Sequence, residues 1–275
     1  MGRASRPATF LNMDLGLTNK VALVAASSQG LGKAVALGLA REGARLALCA
    51  RSAPDLEATA AEIRAGTGVE VLTRAFDVTV HADVRAFVKE TAAAFGTVDI
   101  CVANAGGPPS KTFAETTIED WQHAADLNLM STVYFAKETL PLMQARRWGR
   151  FIAITSMTVK QPVDGLILSN AIRTGVSGLV KSLSNEYGPY NVLVNNVCPG
   201  YTATARLLSL AGTLAKKEGV EPAEIEDRWA RQTPLRRIGL PEEFANLVVF
   251  LASERASYIT GVSIAVDGGI VKGLY

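Results

Sequence analysis

Short apolar or β-branched runs at residues 21–26, 45–50, 69–76, 98–103, 150–155, 192–198 and 263–266 alternate with longer helical patterns. The latter fall at 30–42, 54–66, 82–95, 118–146, 169–188 and 241–252. The short runs are continuously apolar, as in strands buried on both faces, rather than alternating as in half-exposed strands. Seven strands separated by helices predict an α/β fold, a doubly wound seven-stranded parallel sheet with helices on both faces and ligands at the carboxyl ends of the strands. One interval breaks the rhythm. Residues 202–238 carry no strand, yet 206–215 and 222–232 have helical character. An insertion of that length just after a strand end predicts a small helical lid, the plainer alternative being a packed surface pair of helices. No repeat, linker or low-complexity stretch divides residues 13–275, which read as one domain. Residues 1–12 read as a flexible N-terminal extension.

Composition adds mostly exclusions. With 275 residues, 48% hydrophobic, 20% charged and a formal charge of +2, the chain has no bias toward nucleic acid or an anionic membrane. Its apolar runs fall far short of the ~20 residues of a membrane span. Cys49, Cys101 and Cys198 are odd in number and lie in strand-like runs, so they are expected to be buried free thiols in a reducing compartment. No cysteine pair has ligand spacing and His81 and His123 stand alone, so no metal site is expected. Arg3, Arg6 and Pro7 lack an apolar core and do not read as a secretion signal. A cytoplasmic location is the resulting expectation.

The first strand leads into Ala25-Ala26-Ser27-Ser28-Gln29-Gly30-Leu31-Gly32 and then a helix. Glycines at that turn let the backbone approach a pyrophosphate, and the uncapped N–H groups and dipole of the helix favour an anion. The context makes this a dinucleotide site on a Rossmann fold, with Ser27, Gly30, Leu31 and Gly32 as its cradle. The second strand ends in Cys49-Ala50-Arg51. It supplies no carboxylate for the ribose hydroxyls, while Arg51 offers a fork for a 2′-phosphate. NADP(H) is therefore expected over NAD(H), unless Arg51 is only a surface arginine.

These features resemble the short-chain dehydrogenase/reductase family, with a layout similar to 3-oxoacyl-carrier-protein reductases. Asp77-Val78 resembles the pair beside the adenine, Asn104-Ala105-Gly106 the motif after the fourth strand, and Pro199-Gly200 the turn beside the nicotinamide. Asp126-Leu127-Asn128 supplies the helix asparagine of the catalytic tetrad, and Asp267-Gly268-Gly269 the C-terminal signature. Ala25 and Ala26 replace the family's Thr-Gly, and Ala26 is expected to tighten the turn or bar a left-handed backbone there. The resemblance also implies a homodimer or homotetramer built on the helices at 118–146 and 169–188.

The family's active site is a serine, a tyrosine thirteen residues on, and a lysine four beyond that. Here Ser156 supplies the serine, but the next two positions are Ser169 and Arg173. An aliphatic hydroxyl is a far weaker acid than a phenol of pKa ~10, and arginine stays protonated. Ser156, Asn128, Ser169 and Arg173 are the candidate catalytic residues, with Arg173 also facing the nicotinamide ribose. Tyr201, Lys160 and Asp164 are candidate helpers, and Asn170 a candidate water-holder in the space of the missing ring. Three readings stay open: an NADP(H)-preferring oxidoreductase of a small or medium carbonyl/alcohol substrate with a non-standard acid–base site, a retro-aldol type C–C lyase or dehydratase, and a catalytically silent dinucleotide-binding or scaffolding protein.

Overall fold

The computed structural model describes residues 13–274; the expected N-terminal extension lies outside them. Seven parallel strands form one sheet in the order β3-β2-β1-β4-β5-β6-β7: β1 (Val21–Ala25), β2 (Arg45–Ala50), β3 (Val71–Ala75), β4 (Ile100–Ala103), β5 (Gly149–Ile154), β6 (Val192–Pro199) and β7 (Ser263–Val266). The reversal of strand order falls between β1 and β4, and it opens a crevice at their carboxyl ends.

The unbroken apolar runs are explained by two cores, one on each face. Ala22 and Val24 of β1 pack with Leu46 and Leu48 of β2 against α1 (Gly30–Arg41), α2 (Ala53–Thr67) and α9 (Pro241–Ala252). Leu23 and Ala25 point the other way, with Ala47 and Cys49, toward α3 (His81–Phe95), α5 (Ser131–Arg146) and α6 (Ile167–Tyr187). Strands covered on both faces are therefore apolar at consecutive positions, as in β1 and β4, whereas edge-side β3 carries Thr73 and Arg74 and β6 buries Asn195 and Asn196. Cys49, Cys101 and Cys198 are free and buried, and burial pushes the Cys49 and Cys101 thiols up.

One predicted helix is divided. The pattern at 118–146 resolves into α4 (Ile118–Ala124), a π-helical turn (Ala125–Met130) and α5. The wide turn inserts a residue into the ladder, a device common at functional sites, and it carries Asn128. The interval after β6 holds α7 (Ala205–Glu218) and α8 (Pro222–Gln232). They close a small core of their own around Ala211, Ala215, Ile225 and Trp229. No helix among the described residues is long and apolar enough to cross a membrane.

The turn after β1 is strained at one point. Ala26 adopts φ +49°: alanine does not bar the left-handed conformation but is forced into it. That costs about 1–2 kcal/mol for a residue with a Cβ, partly offset by the ~0.4–1 kcal/mol of extra unfolded-state entropy that glycine brings. Ala26→Gly should therefore stabilise the protein by about 0.5–1 kcal/mol in urea unfolding. A variant less stable than the parent contradicts this account of the turn.

Candidate active site

A cleft of about 310 Å³ opens where β1, β4 and β5 end, roofed by the start of α7. Its floor is the glycine turn. Gly30 has φ +58°, and a Cβ on Gly32 would overlap the Ala26 carbonyl oxygen, so the helix can approach the turn only without a side chain there. Gln29 precedes α1 in an extended conformation, with no side-chain cap and no acidic residue in the first turn. The helix thus presents uncapped N–H groups and a positive dipole end to the cleft. Asn104 braces this floor by donating to Ala25 O (3.3 Å), and the Thr59 hydroxyl donates to Ser28 O (3.0 Å).

Ser156, Ser169 and Arg173 line the same cleft as Gly30, Leu31, Asn104 and Gly106, as expected from the sequence. Ser156 sits between β5 and a single 3-10 turn, its Oγ accepting from Thr158 N (3.2 Å). Ser169 is 6% exposed, and its Oγ lies 3.0 Å from Thr158 Oγ1. Thr158, which the sequence pattern did not single out, thus joins the two serines.

One turn on along α6, Arg173 is 6% exposed. Its Nη1 donates to Thr155 O (2.6 Å) and Ile154 O (3.4 Å), and its Nη2 to Gly106 O (3.2 Å). The guanidinium therefore ties the ends of β4 and β5 together. Burial, reinforced by the charge of Arg206, lowers its pKa to about 10, which still leaves it a cation at neutral pH. Asn128 reaches the same acceptor, donating to Gly106 O (2.8 Å), while its Oδ1 is buried with no protein partner. The backbone at Gly106 is therefore the point on which asparagine and arginine converge.

The remaining expected residues divide. Arg51 is exposed at the end of β2, near enough to Asp77 for its charge to help lower the Asp77 pKa. The main cause of that lowering is the backbone N–H of Thr79. Val78 is buried beside them. Gly200 packs so closely that a Cβ would stand 2.6 Å from Asp267 Cα, which fixes the Pro199-Gly200 turn against the end of β7. Ser27 is fully buried, its hydroxyl donating to Cys49 O (3.3 Å); its side chain shapes the turn and does not line the cleft.

The helpers do not gather around Ser156. Tyr201 stacks on Trp229 with ring centroids 4.9 Å apart. It lines a neighbouring cavity of about 580 Å³ with Asp164, and burial raises its pKa, so it is an aromatic wall and a poor acid. Lys160 is half-buried and lines neither space. Asn170 does not offer its amide to the space of the missing ring: its Oδ1 accepts from Val163 N (3.2 Å) and its Nδ2 donates to Val163 O (3.0 Å). The cleft also contains a cation that sequence reasoning missed. Arg206, in the first turn of α7, donates to Pro108 O (2.8 Å). The available signal was a lone arginine beside the lid's N-cap, Thr204.

A family model described as enoyl-(acyl carrier protein) reductase matches residues 25–271. The 3-oxoacyl-(acyl-carrier-protein) reductase FabG of Aquifex aeolicus is 34% identical over 258 residues, covering 94% of this chain and 100% of that protein. Oxidoreductase UcpA of Escherichia coli strain K12 is 34% identical over 255 residues, covering 92% and 95%. Among solved structures, L-sorbose reductase from Gluconobacter frateurii, complexed with NADPH and L-sorbose, superposes with TM-score 0.91 at 36% identity over 95% of this chain and 100% of that one. Actinorhodin polyketide ketoreductase with NADPH gives 0.89 at 32%, covering 93% and 98%.

Sheet order, glycine turn and cleft together define a single-domain Rossmann fold, and the relatives mark it as an oxidoreductase. The chain belongs to the short-chain dehydrogenase/reductase family and is similar to its 3-oxoacyl-(acyl-carrier-protein) reductases.

Proposed function

We propose that this chain is an NADP(H)-preferring oxidoreductase of a small carbonyl/alcohol pair, working with a non-standard acid–base site. The observation that carries this reading is the single cleft in which a side-chain-free cradle at Gly30 and Gly32 meets the Ser156, Ser169 and Arg173 cluster. The residues present fit a dinucleotide. Gly30 and Leu31 at the uncapped end of α1 would hold its pyrophosphate. Asp77 and Val78 would flank the adenine, Asn104, Gly106 and Arg173 the nicotinamide ribose, and Pro199-Gly200 the nicotinamide. Bound there, the cofactor supplies or accepts the hydride.

The chain's own residues do the rest. Ser156 Oγ polarises the carbonyl oxygen by hydrogen bonding. Asn128 and Arg173 hold Gly106 and the ends of β4 and β5, fixing the wall against which the substrate turns. Reduction also requires one proton at the carbonyl oxygen. Arg173 cannot release one at neutral pH, and an aliphatic hydroxyl is a weak acid. The proton would therefore come from solvent in the cleft, relayed by the Ser169 hydroxyl that lines it and is held by Thr158 Oγ1. The expected penalty for lacking a positioned phenol is about 10²–10⁴-fold in rate. Pooled small carbonyl compounds with NADPH test the reading: slow, stoichiometric NADPH loss with a two-hydrogen mass gain in product supports it. Product formed at full rate without nicotinamide overturns it in favour of a lyase or dehydratase, and tight NADPH binding with no turnover of any carbonyl overturns it in favour of a silent binding protein.

Arg51 carries the cofactor preference. A charge-assisted bond to a 2′-phosphate is worth about 1.5–3 kcal/mol, so NADPH should bind roughly 10- to 150-fold more tightly than NADH. Arg51→Ala should remove most of that ratio in fluorescence titrations; equal affinities in the parent contradict the assignment. The same family likeness supports a homodimer or homotetramer through α5 and α6, which sedimentation velocity would test.

A further inference from the structure

Among the described residues, the side chains lining the cleft include two cations, Arg173 and Arg206, and no carboxylate. None of the ion pairs among the described residues involves either arginine. The two guanidinium groups converge on Gly107. The point where a Cβ on Gly107 would stand lies 3.4 Å from Arg206 Nη2 and 3.9 Å from Arg173 Nη2. Like charges held this close repel, and the Arg206 charge is felt at Arg173, whose protonated form it disfavours after burial. The arrangement persists because each fork is pinned by backbone carbonyls, Arg206 by Pro108 O and Arg173 by Thr155 O and Gly106 O. Among the described residues, those bonds leave other donors of both five-pronged forks without a protein acceptor. An anion seated between them would cancel the repulsion and take the free donors, and a planar carboxylate matches a guanidinium fork. Beside this charged spot the lining is apolar, with Ile154, Leu166 and Leu210.

We propose that Arg206, backed by Arg173, is a specificity-determining clamp for a substrate carboxylate, so that the carbonyl compound is a small oxo acid. This rests on the reductase reading given above. The cofactor's pyrophosphate is the rival source of negative charge. It already has a cradle at the end of α1, whereas Arg206 stands on the lid, over Gly107 and Pro108.

The test uses 2-, 3- and 4-oxopentanoate against 2-pentanone, with the NADPH-loaded protein. At least one acid should be preferred about 10- to 150-fold in kcat/KM, the range of one charge-assisted contact. Arg206→Gln should collapse that preference to within about threefold, Arg206→Lys should keep part of it, and the Kd for NADPH should change by less than about twofold in both. Loss of NADPH affinity in Arg206→Gln with the acid preference intact overturns the proposal and makes Arg206 a cofactor contact. Calorimetric binding of the acids to the NADPH-loaded protein separates the two readings. Arg206-dependent binding without NADPH oxidation upholds the clamp and overturns only the reductase reading. Acids that bind no better than 2-pentanone overturn the clamp.

Discussion

Replacing Ser169 with tyrosine and Arg173 with lysine together should raise NADPH-dependent reduction of a simple ketone or diketone by about 10²–10⁴-fold, the usual contribution of a positioned general acid. Both positions lie on α6, one turn apart, and both line the cleft that holds Ser156, so a phenol and an ammonium placed there would be neighbours. The two changes are coupled. With Arg173 still tied to Thr155 O and Gly106 O, Ser169→Tyr alone gains a phenol beside a cation that is committed to backbone carbonyls, and it should recover less. The check is steady-state kinetics on the parent, both single variants and the double variant, alongside NADPH titration and thermal unfolding. A folded, NADPH-binding double variant with no gain would mean that the substrate wall has diverged as far as the acid has.

Gly32→Ala should be the most damaging single methyl in the molecule for dinucleotide binding. Its Cβ would overlap the Ala26 carbonyl oxygen and stand within 2.8 Å of the Ala26 carbonyl carbon. Either the turn or the start of α1 must shift, an overpacking cost of about 1–3 kcal/mol. Because the same turn forms the pyrophosphate cradle, NADPH affinity should fall more than about tenfold, or 1.4 kcal/mol. Gly30→Ala is the informative contrast. Its Cβ would meet only the Thr204 methyl at 3.5 Å, so that variant suffers mainly from its left-handed φ, at about 1–2 kcal/mol. Fluorescence titration and urea unfolding distinguish the two; a Gly32→Ala protein binding NADPH like the parent would contradict the cradle.

Much of the fold could be read before the structure because burial on both faces of a parallel sheet writes itself as unbroken apolar runs. The bounds of β2 and β7 coincide with those runs, and the Ser156, Ser169 and Arg173 positions implied by the family resemblance line one cleft. What escaped was backbone geometry and side-chain partnership. Across the π-helical turn the buried positions Ala124, Asn128, Ser131, Thr132 and Phe135 keep the three-to-four spacing of an ordinary helix, so 118–146 reads as one element. The replacement of glycine by Ala26 implies a tightened turn or a barred left-handed backbone, yet Ala26 takes φ +49°. The amide of Asn170 turns back to Val163, and Tyr201 toward Trp229, because loop carbonyls and a facing indole were nearer than the cleft. Arg206 acquired its place only when the lid folded over Pro108, a contact between residues 98 apart that no local pattern encodes.

The proposed hydride transfer from a nicotinamide in the cleft beside Ser156, despite the missing phenol, leaves an isotopic mark. Its most direct test is NADPH carrying deuterium at the transferable position, incubated with the parent protein and the oxo acids and ketone named above, with product analysed by mass and NMR. One deuterium is expected on the former carbonyl carbon for each NADPH consumed, at a slow rate that Ser156→Ala lowers further. Product without deuterium, formed equally fast in the absence of NADPH, would contradict it.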